Sequence, residues 1–189
     1  VVLTISKTDT TTNLSNITNT YNGTSQAATG ASAKLNSNNE PIDGAQFTYE
    51  YYNGTSCSGS TISAPTNAGT YSVKATLQGT GNYESSESSC VKYTMNPKDI
   101  TVTAGSDSKE WDGTALTNPT CTVTAGSLIA RHTISCEMTS GSTITTEGTT
   151  ANTISTTAIK QGTSDVTNNY NVTEVSGTLT ITKRTPIVT

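Results

Sequence analysis

The chain has 189 residues, of which 31% are hydrophobic and 13% charged, with one Phe, one Trp and a formal net charge of −4. Thr supplies about a fifth of it and Leu is scarce, a bias against helix and toward pleated, half-buried surfaces. The mild acidity, with Lys183-Arg184 the only adjacent basic pair, excludes a nucleic-acid partner, and no apolar run reaches the length of a membrane span, so no membrane insertion is expected.

Short alternating segments run through the chain, each bounded by Gly, Asn, Ser or Pro. In order they are VVLTIS (1–6), QFTYEYY (46–52), TYSVKATL (70–77), CVKYTM (90–95), DITVTAG (99–105), TCTVTAG (120–126), HTISCEM (132–138), NTISTTAI (152–159) and GTLTITK (177–183). In the clearest of them Tyr71, Val73, Ala75 and Leu77 fall on one face. The spacing of short strands predicts an all-β protein built of antiparallel sandwiches with small cores.

The chain also repeats itself. YNGTS at 21–25 returns about ninety positions later as WDGTA at 111–115. Asn-Gly and Asp-Gly accept the positive φ angles of a tight turn, so Gly23 and Gly113 are read as turn glycines. Tyr21 and Trp111 are read as core anchors in front of those turns. Gly69-Thr70 and Asn82-Tyr83 have counterparts in Gly148-Thr149 and Asn169-Tyr170, the latter at nearly the same interval. Two domains are therefore expected, residues 1–96 and 97–184, with Pro97 stiffening the junction. Residues 185–189 resemble the opening strands and read as the start of a further repeat.

Four cysteines, Cys57, Cys90, Cys121 and Cys136, show no metal-ligand spacing and allow three pairings. The duplication favours Cys57–Cys90 and Cys121–Cys136, one staple per domain, which implies an oxidising, extracellular setting. Val1 reads as the start of a strand inside a larger polypeptide, so export and anchoring signals are expected outside this stretch.

The run Thr20-Tyr21-Asn22-Gly23-Thr24-Ser25-Gln26-Ala27-Ala28, with 67–73 and Asn82-Tyr83, resembles the MBG-type ("mostly β") repeats of bacterial surface proteins. Residues 109–116, 126–128, 131–133, 169–172 and 177–181 are similar to the related repeat in which Tyr-Asp-Gly-Thr is usual. Trp111 replaces that Tyr, and Arg131 stands where Gly is commoner before His132. The resemblance covers nearly the whole chain. It implies two tandem immunoglobulin-like or MBG sandwiches in a secreted, cell-surface-anchored adhesin or stalk, with neighbouring repeats as partners. It carries over no catalytic residues and no cofactor.

Other constellations compete with this reading. His132, the only histidine, lacks a nucleophile-elbow partner and reads as structural. The oxygen-rich loop 36–44 lacks the ordered Asp spacing of a calcium site. Lys7 and Lys98 stand where a Lys–Asn crosslink could form if they were buried. Sequons occur at Asn13, Asn16, Asn22, Asn53 and Asn171. Tyr49, Tyr51 and Tyr52 share one strand and offer either core packing or a ligand platform of exposed aromatics. The leading expectation is a structural or adhesive spacer and not an enzyme. The alternatives are a module binding a glycan or host protein, and a subunit of an extracellular filament.

Overall fold

A computed structural model describes residues 6–184. The expected strand at 1–6, all but its last residue, and the further repeat expected at 185–189 lie outside the described residues. The chain divides into two compact units between Pro97 and Lys98. The elements of the described residues are strands and one 3₁₀ turn, so the protein is all-β. No described helix is long and apolar enough to cross a membrane.

The first unit contains β1 (Thr10–Asn13), β2 (Ile17–Thr20), β3 (Ser32–Leu35), β4 (Phe47–Asn53), β5 (Gly69–Leu77), β6 (Ser86–Glu87) and β7 (Val91–Asn96). Its larger sheet has the order β2-β7-β5-β4, with β6 on β5, while β1 pairs separately with β3. All these pairings are antiparallel except one: β2 runs parallel to β7, from Ile17 opposite Tyr93 to Thr20 opposite Asn96.

Period-two burial builds the core. Val73, Ala75 and Leu77 of β5 are fully buried, Tyr71 at the head of that row is half-buried, and Tyr93 and Met95 of β7 join them. Tyr93 meets the rings of Tyr51 and Tyr71 edge to face, with centroids 6.0 and 6.4 Å away, the favoured arrangement for ring quadrupoles. Its hydroxyl donates to the Gln26 carbonyl at 2.7 Å and accepts from Asn19 Nδ2 at 2.8 Å. The Tyr51 hydroxyl accepts from the Ala28 amide at 2.7 Å. Burial pushes the Tyr51, Tyr71 and Tyr93 hydroxyls up from their ordinary value, so these groups stay neutral and hydrogen-bonded.

The second unit contains β8 (Lys98–Ala104), β9 (Asp107–Glu110), β10 (Cys121–Ala125), β11 (His132–Met138), β12 (Gly148–Asn152), β13 (Ile154–Gln161), β14 (Ser164–Asp165), a 3₁₀ turn (Thr167–Asn169), β15 (Tyr170–Val175) and β16 (Gly177–Thr182). They form three sheets with orders β10-β8-β15, β11-β13-β14 and β12-β16-β9. Here two pairs are parallel, β15 with β8 and β16 with β9. Ile100, Val102 and Ala104 alternate into the core from β8, and Leu179 and Ile181 do so from β16, packed with Leu116 and the half-buried Ile144.

The expected strand 152–159 is broken at Thr153, where β12 ends and β13 begins. Thr153 donates its amide to Ser142 Oγ at 2.8 Å, and this side-chain bond takes the place of a ladder partner. Arg131, in the position where the resemblance favours Gly, has a φ of 69°. That left-handed backbone explains why Gly suits the position.

Tyr93→Phe strands the Gln26 carbonyl and the Asn19 amide, and the expected loss is about 1–3 kcal/mol. Denaturant unfolding followed by tyrosine fluorescence measures it; an unchanged midpoint would show that these bonds do not hold the core.

Candidate functional site

The features singled out by the sequence converge on one element, the turn that follows the first strand of each closing parallel pair. In the first unit Asn22 Oδ1 accepts from the Thr24 amide at 2.9 Å and the Thr24 hydroxyl at 2.8 Å. In the second, Asp112 Oδ1 accepts from the Thr114 amide at 2.9 Å and its hydroxyl at 2.8 Å. Gly23 and Gly113 sit between these partners with φ of 80° and 83°, a conformation that costs a side-chain-bearing residue about 1–2 kcal/mol. Asn or Asp supplies the oxygen, Gly the left-handed step and Thr two donors.

The residue in front of each turn closes the unit. The Tyr21 amide donates to the Asn96 carbonyl at 2.8 Å, and the Trp111 amide donates to the Thr182 carbonyl at 2.9 Å. Both acceptors lie at the end of the unit's last strand. A further correspondence sits at the other end of the pair. Asn16 Oδ1 accepts from the Lys92 amide, and Ser106 Oγ accepts from the Thr178 amide, each at 3.0 Å. Asn16 and Ser106 each stand one residue ahead of the paired strand.

The side chains differ where the backbones agree. Tyr21 is buried at 4% exposure, but Trp111 is 46% exposed and is not a core anchor. The second core is closed by Leu116, Leu179 and Ile181 without the indole. Trp111 instead borders an open groove of about 300 Å³ with Glu147, Lys183 and Arg184. Lys109, whose role the sequence did not disclose, replaces aromatic packing with charge. Its ammonium donates to Asp112 Oδ1 at 2.8 Å, Thr114 Oγ1 at 2.6 Å and the Thr114 carbonyl at 2.9 Å. Its place three residues ahead of Asp112 was the only available signal.

The tyrosine platform is also corrected. Tyr51 and Tyr52 are buried and Tyr49 is half-buried, so the three rings offer no exposed stacking surface. Tyr51 packs on Tyr93, and the Tyr52 hydroxyl donates to Glu50 Oε2 at 2.9 Å.

Cys57 is bonded to Cys90 and Cys121 to Cys136, which places one disulfide in each unit. Cys90 directly precedes β7, while Cys121 and Cys136 tie β10 to β11. His132 is buried, and its Nδ1 shares a hydrogen bond of 2.6 Å with the Tyr170 hydroxyl. Among the described residues no three His, Cys, Asp or Glu side chains gather as a metal site. In the loop 36–44, Asn39 Oδ1 accepts from Lys34 Nζ at 2.9 Å. Lys7 is exposed and Lys98 half-buried, short of the burial a crosslinking lysine needs. The asparagines of all five sequons are exposed.

No protein-family model matches the chain, and no curated protein matches it.

The hydrogen bond from Lys109, then those from Thr114, hold the Asp112 carboxyl well below the usual carboxylate range. A depressed carboxylate stabilises the fold above its unfolded value and loses that contribution as pH falls through the folded one. Asp112→Asn keeps the turn acceptor, as Asn22 does, and removes the charge. The melting temperature of the variant should therefore fall less between pH 5 and pH 2 than that of the parent. Identical pH profiles would mean that the carboxylate adds nothing to the turn.

Proposed function

We propose that each unit is a β-sandwich of the immunoglobulin-like or MBG type, and that the chain is a spacer module of a secreted bacterial surface protein. The observation that carries this reading is the repetition of one closure in both halves. Each half has the Asx turn with its positive-φ glycine, the amide bond from the preceding residue to the last strand, and the side-chain acceptor one residue ahead of the first. A chain that builds the same closed unit twice is organised as an array. A single residue, Pro97, separates β7 from β8. One disulfide per unit suits an oxidising setting and small cores. Neighbouring repeats of the same polypeptide are its proposed partners, with no cofactor and no catalytic chemistry.

A second reading has one specific observation in its favour. Trp111 stands exposed beside Lys183, Arg184 and Glu147, a set that suits a ligand with an apolar ring face and an acidic group, such as an acidic glycan. The two readings separate experimentally. Placed in one to four copies between a cell-surface anchor and an epitope, the chain should raise antibody access to the epitope with copy number. A glycan array should remain blank. Saturable binding of an acidic glycan, lost on Trp111→Ala, together with access independent of copy number, would replace the spacer by the binding module.

A further inference from the structure

We infer that the parallel pair closing each unit is a mechanical clamp and that the chain is built to carry tension along its length. The inference takes its purpose from the spacer reading, but the clamp is a property of the fold and is tested without it.

The direction of the strands sets how a load would pass through each unit. In the first unit the chain passes through β1, which pairs with β3, then through β2, and leaves through β7; β2 and β7 are parallel neighbours and take the load between them once β1 has come away. In the second unit it passes first through β8, which pairs with β10 and β15, then through β9, and leaves through β16; β9 and β16 are again parallel neighbours and take the load between them once β8 has come away. Opposite pulls on the two ends of such a pair slide one strand along the other. All the bonds between them then bear the load together and must fail together. An antiparallel hairpin pulled at its two open ends would instead unzip bond by bond. Parallel pairing, which is slightly weaker per residue at equilibrium, is thus the stronger choice under end-to-end load.

Both pairs have the same span and the same reinforcement. Four register positions join β2 to β7 and four join β9 to β16. Beyond one end of each pair lies the bond from the Tyr21 or Trp111 amide, and beyond the other the acceptor of Asn16 or Ser106. The Asx turn then fixes the chain directly after the amide, so the pair cannot fray from that end. Exposed Trp111 agrees with this reading. What the two units share is the backbone bond at this position and not the packing of the ring.

The disulfides set what happens once a clamp fails. Cys57–Cys90 closes a stretch with a sequence separation of 33, and Cys121–Cys136 one of 15. Neither closed stretch contains a clamp strand. Each clamp can therefore break under oxidising conditions, after which the bridge limits the extension that follows.

Force-clamp spectroscopy of the intact chain, held by handles at its two ends, tests the inference. Two unfolding events are expected. Reduction should lengthen one by roughly 110 Å and the other by roughly 50 Å, at about 3.3–3.6 Å per freed residue. Asn16→Ala and Ser106→Ala should each speed one event about two- to tenfold at constant force, the effect of one hydrogen bond on the barrier. Asn19→Pro, within β2, should speed the first event further. A control, Ala33→Gly in β3, should lower the denaturant midpoint and leave the forced rate unchanged. Forced rates that ignore Asn16→Ala and Ser106→Ala, or that follow the control equally, would overturn the clamp. That outcome would leave the epitope-access result, and the spacer reading, untouched.

Discussion

The structure depends on one constraint: in each unit an early strand must lie parallel to the last. Parallel neighbours cannot be joined by a tight hairpin, so the rest of the unit is the crossover that separates them. In the first unit that crossover is β3 to β6 with their loops, and in the second it is β10 to β15. The Asx turn after β2 or β9 starts the crossover by turning the chain away from the pair. The amide just before the turn makes the last bond to the closing strand. Remove the pairing, and the turn, the amide bond and the side-chain acceptor ahead of the strand lose their common purpose.

The two units meet this constraint with different interiors. β5 lies on β7 with Gly69 opposite Met95 and Val73 opposite Val91. β12 lies on β16 in the corresponding register, with Gly148 opposite Ile181 and Asn152 opposite Gly177. An apolar pair in one unit is thus an amide facing a glycine in the other. Asn152 is fully buried and donates to the carbonyls of Gly105 and Asn118 at 2.8 and 2.7 Å. A Cβ at Gly177 would overlap the carbonyl oxygens of Ala104 and Gly105. Here two backbones approach too closely for a side chain, and the amide of Asn152 ties β12 to the loops on either side of β9.

Much of this was legible in the sequence where the physics is local. Period-two alternation located β5 and β16, because their apolar residues fall on one face and polar ones on the other. The turn glycines were legible because only a few dipeptides tolerate positive φ, and the one staple per unit followed from the duplication. What escaped was non-local. β9 reads Asp-Ser-Lys-Glu, with no alternation, since its pairing partner and not its own face holds it in place. β2 and β15 were missed for a similar reason, β2 being short and both partly polar. The exposure of Trp111 could not be read from its match to Tyr21, because the backbone bond is repeated and the ring packing is not. Alternation left the tyrosines of β4 open to core packing or exposure, because it takes no account of neighbouring cover, and the Tyr51 and Tyr52 rings are both buried.

The claim that both units close on the same backbone bond is tested most directly by amide hydrogen exchange read residue by residue. The account predicts that the amides of Tyr21 and Trp111 exchange among the slowest of their units, alike in protection despite the contrast in side-chain exposure. A Trp111 amide that exchanges as fast as the surrounding turn, beside a protected Tyr21, would contradict it.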